Sequence, residues 1–263
     1  MTINIQQLIQ MKKSNSPICM LTCYDATFGR LLDKVGVDII LVGDSLGMVV
    51  QGNKSTIQVK LKDMIYHTQC VSSATENSLL MVDMPFGSYQ ESPEKAYANA
   101  AKLIEAGAQI IKLEGGKWLA NTISFLSDRG IPTCGHLGLT PQSVHKLGGY
   151  KVQGTNPKNA NSIIDAAKTL EENGVDLIVL ELIPAELGKK ITQQIKIPTI
   201  GIGAGVFVDG QVLVLHDILG LNFGHTPKFV KSFFSTGNTI EQVVKNYINA
   251  VRKKEYPNLE HSY

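Results

Sequence analysis

The chain of 263 residues is 43% hydrophobic and 18% charged, with a net charge of +2, the composition of a folded globular protein. So small a charge, with no long run of either sign, argues against nucleic acid or an anionic membrane as partner. The four cysteines include no CxxC pair and read as reduced thiols. No signal-peptide pattern and no apolar run of spanning length occur, so a cytoplasmic, non-membrane protein is expected.

Along the chain, short aliphatic and β-branched runs alternate with longer stretches of helical period. After an N-terminal helical segment, the run 18–22 is followed by helical 26–36. The run 37–42 leads into the apolar, glycine-bearing stretch LGMVVQG (46–52) and then helical 61–75. Run 78–82 precedes helical 93–107, and 109–113 precedes 117–130. Run 132–134 precedes helical 141–146 and 158–174, and 176–180 precedes 184–195. Runs 199–202 and, more faintly, 217–221 complete the series, before an amphipathic helix over 237–254 and a short tail. Gly36, Gly107, Gly130 and Gly174 each stand where a left-handed glycine ends a helix.

Runs apolar on both faces, separated by helices, specify a parallel sheet covered by helices. Eight such units in one uninterrupted series match a single (β/α)8 TIM-type barrel over residues 1–263; a doubly wound open sheet is the alternative. In such a barrel the chemistry sits at the C-terminal ends of the strands. Strand two ends on Asp44 and Ser45, strand three on Asp83, and strand four on Lys112 and Glu114. Strand five leads to His136, strand six to Glu181, and strand seven into GIGAG.

Each of these residues also has a structural reading. Asp44 and Asp83 could be helix caps, and Glu181 a helix-start carboxylate. Lys112, between Ile111 and Leu113, must snorkel or find a carboxylate. Glu114 points the same way two residues on, so the two could form a structural ion pair. His136 could be a satisfied core histidine. What favours a site is the delivery of ionisable groups to one rim by five consecutive strands. GIGAG (201–205) lacks the GxGxxG spacing, which leaves tight packing or a phosphate loop as its readings.

Asp44, Asp83 and Glu114 make a hard-oxygen set that suits Mg2+ better than Zn2+, with one of the three able to act through water. A metal chelating a 2-oxo acid would acidify the adjacent C–H and stabilise an enolate. Lys112 and His136 could bind a carboxylate or developing negative charge, and Glu181 is free to take the proton. LGMVVQG then reads as a loop that folds over the site and excludes water.

The stretches LVGDSLGMVVQG, MVDMPFGSY, IKLEGG, CGHLGLTPQSV, GGYKVQG, IGIGAG with DGQVLVLHD, and HTPKFVK carry a resemblance that covers nearly the whole chain. In order and spacing they resemble the 3-methyl-2-oxobutanoate hydroxymethyltransferase (ketopantoate hydroxymethyltransferase) family. The resemblance implies a barrel similar to the phosphoenolpyruvate/pyruvate group, assembled as a homodecamer. It implies transfer of a hydroxymethyl group from 5,10-methylenetetrahydrofolate to 3-methyl-2-oxobutanoate, giving 2-dehydropantoate for pantothenate and coenzyme A synthesis. The implied route is an aldol-type addition through a Mg2+-stabilised enolate. Asp44 and Asp83 match Mg2+ ligands, and Glu114 a further metal contact, direct or through water. Asp44, Ser45, Asp83 and Lys112 match contacts to the oxo acid. Glu181 matches the proton acceptor, with Lys112 and His136 beside it in the catalytic group. The folate cosubstrate rests on the resemblance alone. A metal-dependent lyase or mutase acting on another 2-oxo acid in a similar barrel is the alternative.

Overall fold

The computed structural model describes residues 3–222, 226–235 and 239–263. Eight strands form the centre: β1 (Ile18–Thr22), β2 (Ile39–Val42), β3 (Leu79–Asp83), β4 (Ile110–Glu114), β5 (Thr133–Gly138), β6 (Leu177–Glu181), β7 (Thr199–Ile202) and β8 (Gly210–Leu213). Each pairs in parallel with its sequence neighbour, and β8 returns to β1, so the sheet is a closed barrel. This is the (β/α)8 architecture that the alternation of runs predicts, and not an open sheet.

Strand alternation explains the two cores. Residues such as Ile18, Met20, Leu79, Met81, Ile110, Cys134, Leu177 and Val179 face inward and form one cluster, joined by Leu8 from the helix Ile5–Lys13. Their neighbours, among them Leu21, Ile40, Leu80, Ile111, Leu113 and Ile178, face outward and pack against the helices. Followed two residues further, the inward face reaches Asp83 after Met81, Lys112 and Glu114 after Ile110, His136 after Cys134, and Glu181 after Val179. The lumen is thus apolar at one end and charged at the other.

The surrounding helices begin and end where local chemistry allows. Asp25 caps Ala26–Val35 by accepting from the Phe28 N–H, and Gly36 ends it at a φ of 94°. Gly107, Gly130 and Gly174 also have positive φ. At the far end of the chain, both carboxylate oxygens of Asp38 accept from Arg252 Nη2 at 2.7 Å, which fastens the helix Ile240–Arg252 to the barrel.

The structure corrects several boundaries. The eighth strand is Gly210–Leu213, not 217–221, and Leu215–Ile218 is a helical turn. The sequence GQVL has little strand propensity. Ring closure makes it a strand, because β1 supplies register partners from Ile18↔Gly210 to Leu21↔Leu213. A Cβ at position 210 would stand 2.4 Å from the Ile18 carbonyl oxygen, so glycine is what lets the ring close. Strand β5 runs on to Gly138 instead of stopping at 134, which puts His136 inside a strand. The stretch after Ser45 starts as a helical turn, Leu46–Val49, and not as a loop. Residues 237 and 238 of the expected C-terminal helix, and His225 of HTPKFVK, lie outside the described residues.

Among the described residues no helix is long and apolar enough to cross a membrane, and the four cysteines are free thiols. The GIGAG segment is a packing device: a Cβ on Gly205 would meet Ala185 Cβ at 2.4 Å, where the helix Ala185–Gln194 begins.

The turn Leu215–Ile218 holds a half-buried carboxyl. Burial pushes Asp217 up to about 6, against a hydrogen bond with Asn222 that favours ionisation. The folded state holds this proton more tightly than the unfolded chain does. Its stabilising contribution is therefore complete below the ordinary carboxyl value and is lost as pH rises through about 6. Asp217→Asn, which stays neutral, is expected to stabilise the protein by roughly 1–3 kcal/mol at pH 8 and by much less at pH 4, as read from thermal unfolding at the two pH values.

Candidate active site

Strand register brings the charged residues together. Asp83 pairs with Lys112, Glu114 with His136, and Gly138 with Glu181 on adjacent strands. The Lys112 ammonium lies 2.7 Å from Asp83 Oδ1, with both side chains almost fully buried. The other oxygen of Asp83 accepts the Asp44 main-chain N–H at 3.0 Å. Asp44 Oδ2 accepts from Gln142 Nε2, and Glu114 Oε2 accepts the Gln142 main-chain N–H, each at 2.9 Å. His136 lies between two acids, with Nδ1 3.3 Å from Glu114 Oε1 and Nε2 3.1 Å from Glu181 Oε2. These are ion-pair contacts that lack the direction of hydrogen bonds.

Neither aspartate is a helix cap. Asp44 and Asp83 engage Gln142, Lys112 and each other's loop, whereas Asp25, at the same kind of strand-to-helix junction, caps its helix. Glu181 is 14% exposed at its side chain, and Pro184 precedes the next helix without a side-chain cap. Backbone shape holds Glu181 in place. Gly138 lies so close that a Cβ there would stand 2.1 Å from the Glu181 carbonyl oxygen, and Leu182 turns the chain at a φ of 49°.

The electrostatics are those of a crowded anionic pocket. Burial and the repulsion of Asp83 and Glu114 hold the Asp44 carboxyl well above the usual range, eased by Lys112 and the Gln142 amide. For Lys112, burial works against the charge, but Asp83, Glu114 and Asp44 prevail and raise it. Burial would raise Glu114 too; the adjacent His136, Lys112 and the Gln142 N–H outweigh it and lower the group. His136 is pushed up to about 9, because Glu114 and Glu181 outweigh burial and the Lys112 charge. The imidazole is therefore cationic at neutral pH.

With every acid ionised, four carboxylates face one ammonium and one imidazolium, leaving two negative charges in excess. Burying such an excess costs several kcal/mol unless a cation offsets it. Among the described residues no three His, Cys, Asp or Glu side chains converge as ready-made metal ligands. The donor set of buried, mutually repelling carboxylates suits a hard divalent cation.

Three further residues belong to the site. Tyr24 Oη lies 2.8 Å from Ser45 Oγ and donates to Thr22 Oγ1 at 2.9 Å, so it holds the serine hydroxyl. Tyr89 Oη and Gln142 Oε1 are 2.8 Å apart beneath Glu114. Tyr24 follows β1 directly, and its place at a strand end was the available signal. Gln142 and Tyr89 lie inside the stretches CGHLGLTPQSV and MVDMPFGSY, which was their only signal, since neither residue type in a turn points to chemistry by itself. Tyr150, in GGYKVQG, lies within the field of Glu181, Asp44 and Glu114, which with burial raise its phenol.

A closed parallel barrel whose strand ends deliver buried acids, a lysine and a histidine to one rim is the architecture of a (β/α)8-barrel enzyme. Solved structures of similar fold include a putative phosphonomutase from Burkholderia cenocepacia, at a TM-score of 0.66 and 16% identity, covering 82% of this chain and 95% of that one. A phosphonopyruvate hydrolase in complex with oxalate and Mg2+ matches at a TM-score of 0.62 and 11% identity, over 81% of each chain. The family model for ketopantoate hydroxymethyltransferase matches residues 2–259. A 3-methyl-2-oxobutanoate hydroxymethyltransferase from Nitrosomonas eutropha is 51% identical over 99% of this chain and 97% of its own length. The chain belongs to the ketopantoate hydroxymethyltransferase family, enzymes of pantothenate biosynthesis that act on small molecules.

Gly43, just before Asp44, has its own role. A Cβ there would stand 2.8 Å from Ser45 Oγ and 3.5 Å from Asp83 Oδ2. The hydroxyl can swing aside, so Gly43→Ala is expected to fold with a melting temperature near wild type. Losing the Tyr24–Ser45 alignment is expected to cost about 10- to 100-fold in kcat/KM, measured by steady-state kinetics beside a melting curve.

Proposed function

We propose that the chain transfers a hydroxymethyl group from 5,10-methylenetetrahydrofolate to 3-methyl-2-oxobutanoate, giving 2-dehydropantoate. The observation that supports this most is the sharing of one largely buried rim by Asp44, Asp83, Lys112, Glu114, His136 and Glu181 in a chain of this family. In this reading Asp44 and Asp83 hold Mg2+, with Glu114 a further contact, direct or through water. The phosphonopyruvate hydrolase of similar fold carries Mg2+ with oxalate, and the hard anionic donors here have the same preference. The chemistry such an ion supplies is polarisation of the 2-oxo group and an offset for the charge left when C3 loses its proton.

Asp44, Ser45, Asp83 and Lys112 bind and orient the oxo acid, with Lys112 supplying a fixed positive charge. Glu181 takes the C3 proton, and His136 holds the Glu181 carboxylate from the side of Glu114. The electron pair left at C3 bonds to the methylene carbon carried by folate, whose two bonds to folate nitrogens both break, one as the C–C bond forms and the other as water arrives. Water supplies the hydroxyl. Its remaining proton and the one taken by Glu181 end on folate nitrogens, with no net oxidation. A homodecamer, a cytoplasmic location and one barrel domain over residues 1–263 belong to the same proposal.

Exchange of the C3 proton of the oxo acid with deuterated water, followed by NMR without folate, isolates the first step. Glu181→Gln is expected to slow it at least about 100-fold. Exchange at the wild-type rate would remove Glu181 from the role of base.

A further inference from the structure

Gln142 lies in the short turn Pro141–Ser143 that follows β5, and it is buried. Its side-chain amide has two donors and two acceptor positions, and all four are taken. Nε2 donates to Asp44 Oδ2 and to the Met84 carbonyl oxygen, both at 2.9 Å. Oε1 accepts from Gln90 Nε2 at 3.2 Å and faces Tyr89 Oη at 2.8 Å, whose one proton is shared with the Glu114 carbonyl oxygen at 2.9 Å. The main-chain N–H adds a bond to Glu114 Oε2 at 2.9 Å. One residue after β5 thus grips the ends of β2, β3 and β4.

The amide has a single workable orientation. Turned over, its oxygen would face the Asp44 carboxylate and the Met84 carbonyl, and its NH2 would face the Gln90 NH2. Three like-against-like contacts would replace three hydrogen bonds, each buried and expensive to leave unmade. Because each position of its amide already faces a protein partner, Gln142 acts on the carboxylates it holds.

We propose that Gln142 is a positioning residue for the divalent cation: through its side-chain and main-chain hydrogen bonds it sets the spacing of Asp44 and Glu114. This rests on the reading of Asp44 and Glu114 as metal contacts. Groups that orient metal-binding carboxylates typically change affinity or activity 10- to 100-fold when removed. A residue that merely pinned the loop would move the melting temperature and leave the affinity of the folded protein unchanged.

The test is Mn2+ binding to the full chain without substrates, read from the electron paramagnetic resonance signal of the free ion. Gln142→Met keeps the side-chain length and removes its hydrogen bonds. It is expected to raise the Mn2+ Kd about 10- to 100-fold, with lost activity partly recovered by excess metal. Should that variant not fold, Tyr89→Phe removes the hydroxyl that anchors Oε1 and is expected to weaken Mn2+ binding in the same direction by a smaller factor. A folded variant that binds Mn2+ as tightly as wild type overturns the proposal. Wild-type protein that binds no Mn2+ removes the metal reading itself, and Gln142's role with it.

Discussion

A lysine ammonium sealed inside the barrel, 2.7 Å from an equally buried aspartate, is the interaction on which the rim depends. Neither charge is tolerable there alone, since removing one partner of a buried pair costs about 3–5 kcal/mol. Lys112 also faces Glu114 and Asp44, and so offsets repulsion among three acids. Without it Asp44, already held neutral more readily than an ordinary aspartate, would have less reason to ionise. The site is therefore a balance of like and unlike charges in which each group sets the protonation of its neighbours.

The barrel makes that balance affordable. Its inward face runs from Leu79 and Met81 to Asp83, and from Cys134 to His136, so packing residues and charged residues share each strand. The apolar layers fix the strands; the strands fix the charges. Groups carried on strands hold their geometry better than groups carried on loops. His136 between Glu114 and Glu181 links the acids of β4 and β6 without a mobile segment between them.

Much of this was legible in the amino-acid sequence, and the failures have physical causes. The seven stronger runs became strands because they are apolar on both faces. Strand β8 and the second half of β5 were hidden by Gly210, Gly135 and Gly138, where close approach of neighbouring chains outweighs strand propensity. Asp25 and Asp44 are the same residue type after a strand, yet one caps a helix and the other faces the site. Local sequence does not separate them, because the choice depends on what lies across the barrel. Gln142 lies in the stretch CGHLGLTPQSV, but its role was hidden for the same reason: a glutamine in a turn acquires meaning only from its partners.

Runs apolar on both faces and helix-closing glycines indicated, from sequence alone, a series of eight βα units, with the last strand misplaced. They also determined that Asp44, Asp83, Lys112, Glu114, His136 and Glu181 sit near strand ends. Which of these meet, and at what distance, was decided only by ring closure and register. Asp44 and Gln142 are 98 positions apart in the chain and 2.9 Å apart in space. A strand's own pattern sets the face on which a side chain lies. The separation between side chains on different strands comes from curvature and stagger, which no single stretch of sequence contains.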